Sequence, residues 1–351
     1  MTEQLKLKLN DSKATRWGAL VIVAFTMMAA YYVNDVVAPL KTMLETDLAW
    51  SSTDFGFFTG GYSFLNVFFL MLIWGGLILD RFGIRFTGKL ATILMVGGTA
   101  LEYYAMTGLA GADATLFGIN EIFGYKTGVF VAFAGYSIFG VGAEVAGITV
   151  SKIIAKWFKG KELATAMGVQ VALARIGSQA GYAVAIPLAR AFGISTPVLL
   201  GLVLLLGGMI AFFVFAVMDK KLDKQMEAAA IAAGTEDEEE KFSFKDVKNI
   251  LVNPGFWLIA LLCVLFYSCV FPFQKFASEL MIIKYGINEN VAGTFAGLPA
   301  LGALILTPVF GGFIDKRGKS ASIMLLGSAM LICVHFIYAI PDINYWLVAI
   351  V

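Results

Sequence analysis

Two residues of opposite charge stand where charge is most costly. Glu144 and Arg175 each interrupt a long apolar run, and a short polar turn centred near Lys159 joins the two runs. Glu144 lies 15 residues before that centre and Arg175 lies 16 after it. At 1.5 Å of rise per residue both sit about 22 Å along their helices, hence at one depth. Ionisable groups inside a bilayer are expensive and mark substrate or ion pathways. A carboxylate and a guanidinium at one depth can hold the two ends of a small zwitterion, its ammonium on Glu144 and its carboxylate bidentate on Arg175. The plainer alternative is a buried pair that only clips two helices together.

Other polar residues fall in apolar runs at comparable depths. Tyr62 and Asn66 share a helix face at i, i+4, Gln179 lies one turn beyond Arg175, and Tyr267 stands in a later run; all four are candidate cavity-lining residues. Glu102, 13 residues outward from Lys89, is a candidate proton-exchanging site or a carboxylic acid hydrogen-bonded in a helix interface. Asn34 and Asp35, with Tyr31 one turn below, read as an outer gate or an interfacial cap. Lys275 lies close to a span boundary, where snorkelling explains it. His335, the one histidine, reads as a helix-interface residue.

The elements that must position these groups follow from composition. Of 351 residues 59% are hydrophobic and 15% charged, with a mean hydropathy of +0.81; a soluble domain is about 45–50% apolar and about 25% charged. The apolar runs have helix-spanning length rather than the alternation of barrel strands. The fold class is therefore an all-α polytopic membrane protein. Its expected spans are 17–40, 54–79, 87–108, 128–151, 163–189, 196–218, 255–277, 291–314 and 321–340, with a tenth starting at 344. Of the 26 Lys and Arg, only Lys41, Lys126, Arg190, Lys275 and Lys284 fall on the far side and Arg175 within a span. The positive-inside rule then places the N-terminus in the cytoplasm.

A repeat organises the chain. The turn after span 2 reads GGLILDRFGIR, with Gly76, Asp80, Arg81, Gly83 and Arg85; the turn after span 8 reads GGFIDKRGK, with Asp315, Arg317 and Gly318. Both are G-x-x-x-D followed by basic residues and a glycine in a tight inner turn. This gives a cytoplasmic tail (1–16), a six-helix half (17–218), a linker with an interfacial helix (219–254) and a partial second half (255–351). By the first half's spacing, roughly a hundred further residues would complete the second, so the sequence reads as a fragment. Two G-x-x-x-G pairs, Gly177/Gly181 and Gly293/Gly297, report close helix packing. Neither an enzyme signature nor metal-ligand spacing is present, so the reading is a non-enzyme with no metal and no cofactor. The expected partners are a small-molecule substrate and the lipid bilayer, without nucleic acid. A monomer is expected, with an accessory subunit left open.

The two turns resemble the loop signature of the major facilitator superfamily. The stretch GAEVAGITVSKIIAKWFKGKELATAMGVQVALARIGS (142–178), the Asn34-Asp35 element and PVFGGFIDKRGK (308–319) are similar to the lysosomal dipeptide transporter type and its bacterial relatives. The resemblance implies the major facilitator fold of two six-helix halves and transport of small zwitterions, most of all dipeptides, by alternating access as a symporter or uniporter. An organic-anion carrier, or a non-transporting receptor or scaffold on the same fold, is the alternative. It also implies that Glu144 and Arg175 meet the peptide's termini. Asp80 and Asp315 would act as conformational latches, Asp315 against the span 5 start near Glu162 to Met167. Span 4 carries no Arg and span 5 lacks G-P-x-x-G-G, which disfavours drug–proton antiport. The inner segments show no acidic-dileucine signal, which points to a bacterial cytoplasmic membrane.

Overall fold

The computed structural model describes residues 8–111, 114–233, 249–317, 320–341 and 344. In lipid each backbone polar group must be satisfied within its own segment, so long apolar runs become helices. Helix α1 (Lys13–Val36) starts at Ser12, whose side chain accepts from the Thr15 amide. A 3-10 turn at Ala38–Leu40, set by Pro39, leads into the short α2 (Lys41–Asp47). Helix α3 (Ser52–Phe68) opens with a reciprocal capping box between Ser51 and Asp54. It meets α4 (Met71–Thr107) at a 58° bend. A two-stranded hairpin, β1 (Glu121–Ile122) with β2 (Tyr125–Lys126), precedes α5 (Thr127–Trp157). There follow α6 (Leu163–Phe192), α7 (Thr196–Ala233), α8 (Pro254–Tyr285), α9 (Glu289–Arg317) and α10 (Ser320–Ala339).

Helix α4 holds two passes. Gly75 presses on Val145 of α5, and Asp80 reaches Lys152 further along it. Beyond Gly83, Ala91 meets α5 at Gly142, Gly98 at Phe139, and Leu109 at Gly128, in descending order. The chain therefore reverses at Gly83, whose φ of 75° and ψ of 172° are open to glycine and costly for other residues. Among the described residues six helices are long and apolar enough to cross a membrane, and the bent α3–α4 pair makes a seventh. Dividing α4 at Gly83 adds one pass. Helix α6 adds another: its 30 residues are long enough to span, but Gln170, Arg175, Gln179 and Arg190 lower its hydropathy.

Three differences from the sequence reading stand out. Helix α7 does not stop near Met218 but runs on to Ala233. The expected interfacial helix falls mostly on 241–248, outside the described residues. The turn glycine pressed against a neighbouring helix is Gly75, whereas a Cβ on Gly76 would meet nothing within 4 Å.

Helices α1 to α7 form one group with a continuous core, in which α5 is the most enclosed. Gly181 of α6 lies against Tyr32 of α1, where a Cβ would come within 2.9 Å of the Tyr32 carbonyl. Gly177 packs on Met28 in the same way, the close approach expected of that pair. The second group, α8 to α10, docks on the first through α6 and the α1–α2 corner. Gly293 and Gly297 of α9 meet Tyr182 and Gln179 of α6, but Gly302 and Gly168 further along have no neighbour within 4 Å. The two groups thus touch near the 37–51 corner and part toward the end that carries the Gly83 and 158–162 turns. That end, rich in Lys and Arg, is here termed the basic end.

Candidate functional site

A cavity of about 490 Å³ lies where the two groups meet. Its lining includes Tyr31 and Asp35 from α1, Arg175 from α6, and Tyr267, Phe271 and Gln274 from α8. Asp35 and Arg175 are its charged residues. The Arg175 guanidinium lies 5.8 Å from the centre of the Tyr31 ring, a cation–π contact that leaves its N–H donors free to meet an anion. Tyr267 stacks on Phe271 at 4.9 Å and 13°, which gives the cavity an aromatic wall.

Glu144 does not form an ion pair with Arg175 among the described residues, so the two do not clip α5 to α6. Tyr62 instead donates its hydroxyl to Glu144 Oε1 at 2.8 Å. Tyr31 lies within electrostatic reach of Glu144, Arg175, Asp35 and Tyr267. Asn66 donates to the Tyr62 carbonyl at 3.1 Å. The Asn66 Oδ1 and Gln179 Oε1 atoms are buried without a hydrogen-bond partner among the described residues.

Lys275 departs from the snorkelling expected of it. Its Nζ turns inward and donates to the Asn34 carbonyl at 2.6 Å and to the Tyr136 hydroxyl at 3.0 Å. It lies 3.9 Å from Asp35 Oδ1, which itself accepts from Asn34 Nδ2 at 2.8 Å. Asn34 and Asp35, in the last turn of α1, therefore sit at a junction between the groups. Beside Tyr136, Glu102 is fully buried and neither of its carboxyl oxygens has a hydrogen-bond partner among the described residues. An ionised carboxylate there finds no donor to offset its desolvation.

Tyr182 of α6 also donates to the Gln274 carbonyl of α8 at 3.1 Å, and two ion-paired ties cross between the groups near the 37–51 corner. Lys41, 2% exposed, pairs with Glu279 of α8 and with Glu45 at 2.7 Å, and it also donates to Ser52. Arg190 pairs with Glu289 and donates to Asn290 at 2.7 Å. Sequence reading missed the Lys41 tie, although Lys41 and Glu45 at i, i+4 were its local signal.

At the basic end no polar contact among the described residues crosses between the groups. Asp80 pairs with Lys152 at 3.0 Å, with both side chains largely exposed. Arg81 lies over the Phe82 ring and Arg317 over the Phe313 ring. Arg85 turns away from Asp80 to Asp219 and Asp223 of α7, which Lys156 also pairs with at 2.7 and 2.5 Å. Trp157 Nε1 completes the shell of the fully buried Asp219 at 3.0 Å. Gly318 and the Asp315 side chain lie outside the described residues.

The start of α6 is held by the N-terminal tail. Arg16 donates to Glu162 at 2.7 Å and its guanidinium keeps that carboxyl below the ordinary carboxylate range. Lys161 does the same to Asp11 at 2.6 Å. His335 hydrogen-bonds the Leu331 carbonyl within its own helix and lies beside Phe273.

Comparisons with known proteins bear on this arrangement. The Major Facilitator Superfamily profile matches residues 18–351. The "Lysosomal dipeptide transporter MFSD1" of Homo sapiens is 27% identical over 348 residues, which cover 95% of this chain and 68% of that protein. Its counterpart in Gallus gallus is 30% identical over 226 residues, covering 61% and 49%. Among solved structures, the xylose transporter XylE from E. coli in a partially occluded inward open conformation matches with a TM-score of 0.58 at 15% identity, over 87% of this chain and 74% of that one. A D-xylose-proton symporter matches at 0.55 and 15% identity, over 86% and 69%. At such identity these two likenesses concern the fold alone.

Proposed function

The chain belongs to the major facilitator superfamily and is a multi-pass integral membrane transporter, and on that premise we propose that it carries small zwitterionic solutes, dipeptides foremost, by alternating access. The observation that carries this reading is the cavity between the two helix groups, with one guanidinium and one carboxylate on neighbouring helices and an aromatic wall beside them. Arg175 receives the substrate's carboxylate. The substrate's ammonium meets Asp35, with Glu144, held by Tyr62, in reserve. The volume lies within the usual range for small-molecule sites, about 300–1,000 Å³. The names of the curated relatives point to the same class of solute.

Glu102 is the proposed proton site: with no donor at either oxygen among the described residues, its buried charge is removed when it binds a proton. If it couples to transport, uptake depends on a pH gradient and survives Glu102→Gln only as exchange. The basic end faces the cytoplasm by the charge asymmetry, so the described arrangement is closed outward and open inward. The membrane proposed is a bacterial cytoplasmic one.

Thermal shift of the purified protein tests the solute class. A ligand at about 100 times its Kd adds about 2.7 kcal/mol of apparent stability. Stabilisation by dipeptides that Arg175→Gln abolishes is the expected result. Stabilisation by carboxylates alone, equal with and without an amino group, would move the answer to an organic-anion carrier anchored on Arg175.

A further inference from the structure

We infer that Lys275 competes with the substrate's ammonium group for the Asp35 carboxylate, and so couples amine recognition to the junction that closes the 37–51 end. The inference rests on the cavity's being a zwitterion site, as proposed above. Asp35 faces two ways. It lines the cavity that Arg175 also lines, and its Oδ1 lies 3.9 Å from the Lys275 ammonium. That separation is longer than a hydrogen bond. The closest partners of Lys275 are the Asn34 carbonyl and the Tyr136 hydroxyl, with the Tyr136 ring 5.6 Å away. Asp35 keeps capacity for a second cation, because a carboxylate has about four acceptor positions and the close donor to it is Asn34 Nδ2.

The other charge within reach of Lys275 is Glu102 on α4. A substrate ammonium seated on Asp35 would come within about 6 Å of the Lys275 Nζ. Two like charges at that distance and an effective permittivity of about 20 repel by the equivalent of about a hundredfold in affinity. Lys275 belongs to α8, whereas Asn34, Asp35, Tyr136 and Glu102 belong to the first group. An amine that displaces Lys275 from this niche loosens α8 from α1 and α5 where the groups meet. A solute without the amine leaves that tie in place.

The test compares alanyl-alanine with its des-amino analogue N-propionyl-alanine, which keeps the carboxylate and the backbone. Binding is measured by calorimetry on the purified protein. Lys275→Gln should tighten alanyl-alanine about tenfold or more, and leave N-propionyl-alanine unchanged or weaker. Lys275→Arg, which keeps the charge, should preserve the wild-type ratio. Asp35→Asn provides an independent arm: it should bring alanyl-alanine down to the affinity of N-propionyl-alanine. The inference is overturned if Lys275→Gln shifts both ligands alike or fails to tighten alanyl-alanine. It is equally overturned if the amine preference persists in Asp35→Asn. Wild-type protein that binds neither ligand would instead remove the zwitterion reading and this inference with it.

Discussion

Lys41 offers the sharpest test of how the two groups are held together. Its side chain is 2% exposed and its ammonium is shared by two carboxylates, Glu45 on its own helix and Glu279 on α8. Glu45→Gln and Glu279→Gln remove the same charge from the same ammonium, yet only Glu279 lies across the junction. An ion pair at 4 Å and an effective permittivity of 20 corresponds to about 4 kcal/mol. Glu279 is 21% exposed and Glu45 remains to satisfy the lysine. The expected loss on Glu279→Gln is therefore about 1–2 kcal/mol. Because the contact exists only when this end is closed, the loss falls on the closed state, a roughly five- to thirtyfold shift toward opening. Spin labels at Thr46 and Asn288, both exposed, would report the separation by pulsed dipolar spectroscopy in nanodiscs, with Cys263, Cys269 and Cys333 replaced by Ser. A longer-distance population should grow in Glu279→Gln and not in Glu45→Gln. Equal distributions in both variants would refute the assignment of Glu279 as a cross-group tie.

Two further outcomes follow from the basic end. Asp219→Asn leaves Arg85 and Lys156 short of a fully buried partner and should cost about 3 kcal/mol, whereas Asp80→Asn breaks an exposed pair and should cost under about 1 kcal/mol; equal shifts in thermal unfolding would contradict the burial argument. The carboxyls that tie the tail to the start of α6, Glu162 beside Arg16 and Asp11 beside Lys161, have lowered pKa values on folding, so their stabilisation is complete above the ordinary carboxylate range and is lost as pH falls through the lowered values. A spin label at residue 15 should gain mobility only as pH falls below the ordinary carboxylate values of about 4, and constant mobility there would show that the tail is held by other contacts.

The passes and their turns were legible in the sequence because apolar run length and glycine punctuation are local signals. The cost of charge in lipid likewise picked out Glu144, Arg175 and Glu102 one residue at a time. Pairing was not legible. Lys275 and Asp35 are 240 residues apart, and depth counted along two helices does not say which faces meet. Arg85 looked like part of the Asp80 turn, but it joins Asp219 and Asp223 because α7 continues beyond its apolar segment. The signal for that was present. Between Lys220 and Ala230 the chain is made almost wholly of Lys, Leu, Gln, Met, Glu and Ala, residues that favour helix over linker. Weighing hydropathy above helix propensity at Met218 hid it.

The cross-group ties differ in what they can sense. Arg190 with Glu289, and Lys41 with Glu279, lie at helix ends, and none of these four residues lines the cavity. They bias the closed arrangement whatever solute is bound, since a ligand shifts an equilibrium only through contacts that differ between states. Lys275 is placed otherwise, because Asp35 belongs both to its niche and to the cavity wall. Loss of the Lys41 tie should therefore favour opening equally with any solute. Loss of the Lys275 tie should change which solutes favour it. Glu279→Gln measured with alanyl-alanine and with N-propionyl-alanine should thus keep their affinity ratio at the wild-type value; a changed ratio would mean that the Lys41 tie also reaches the cavity.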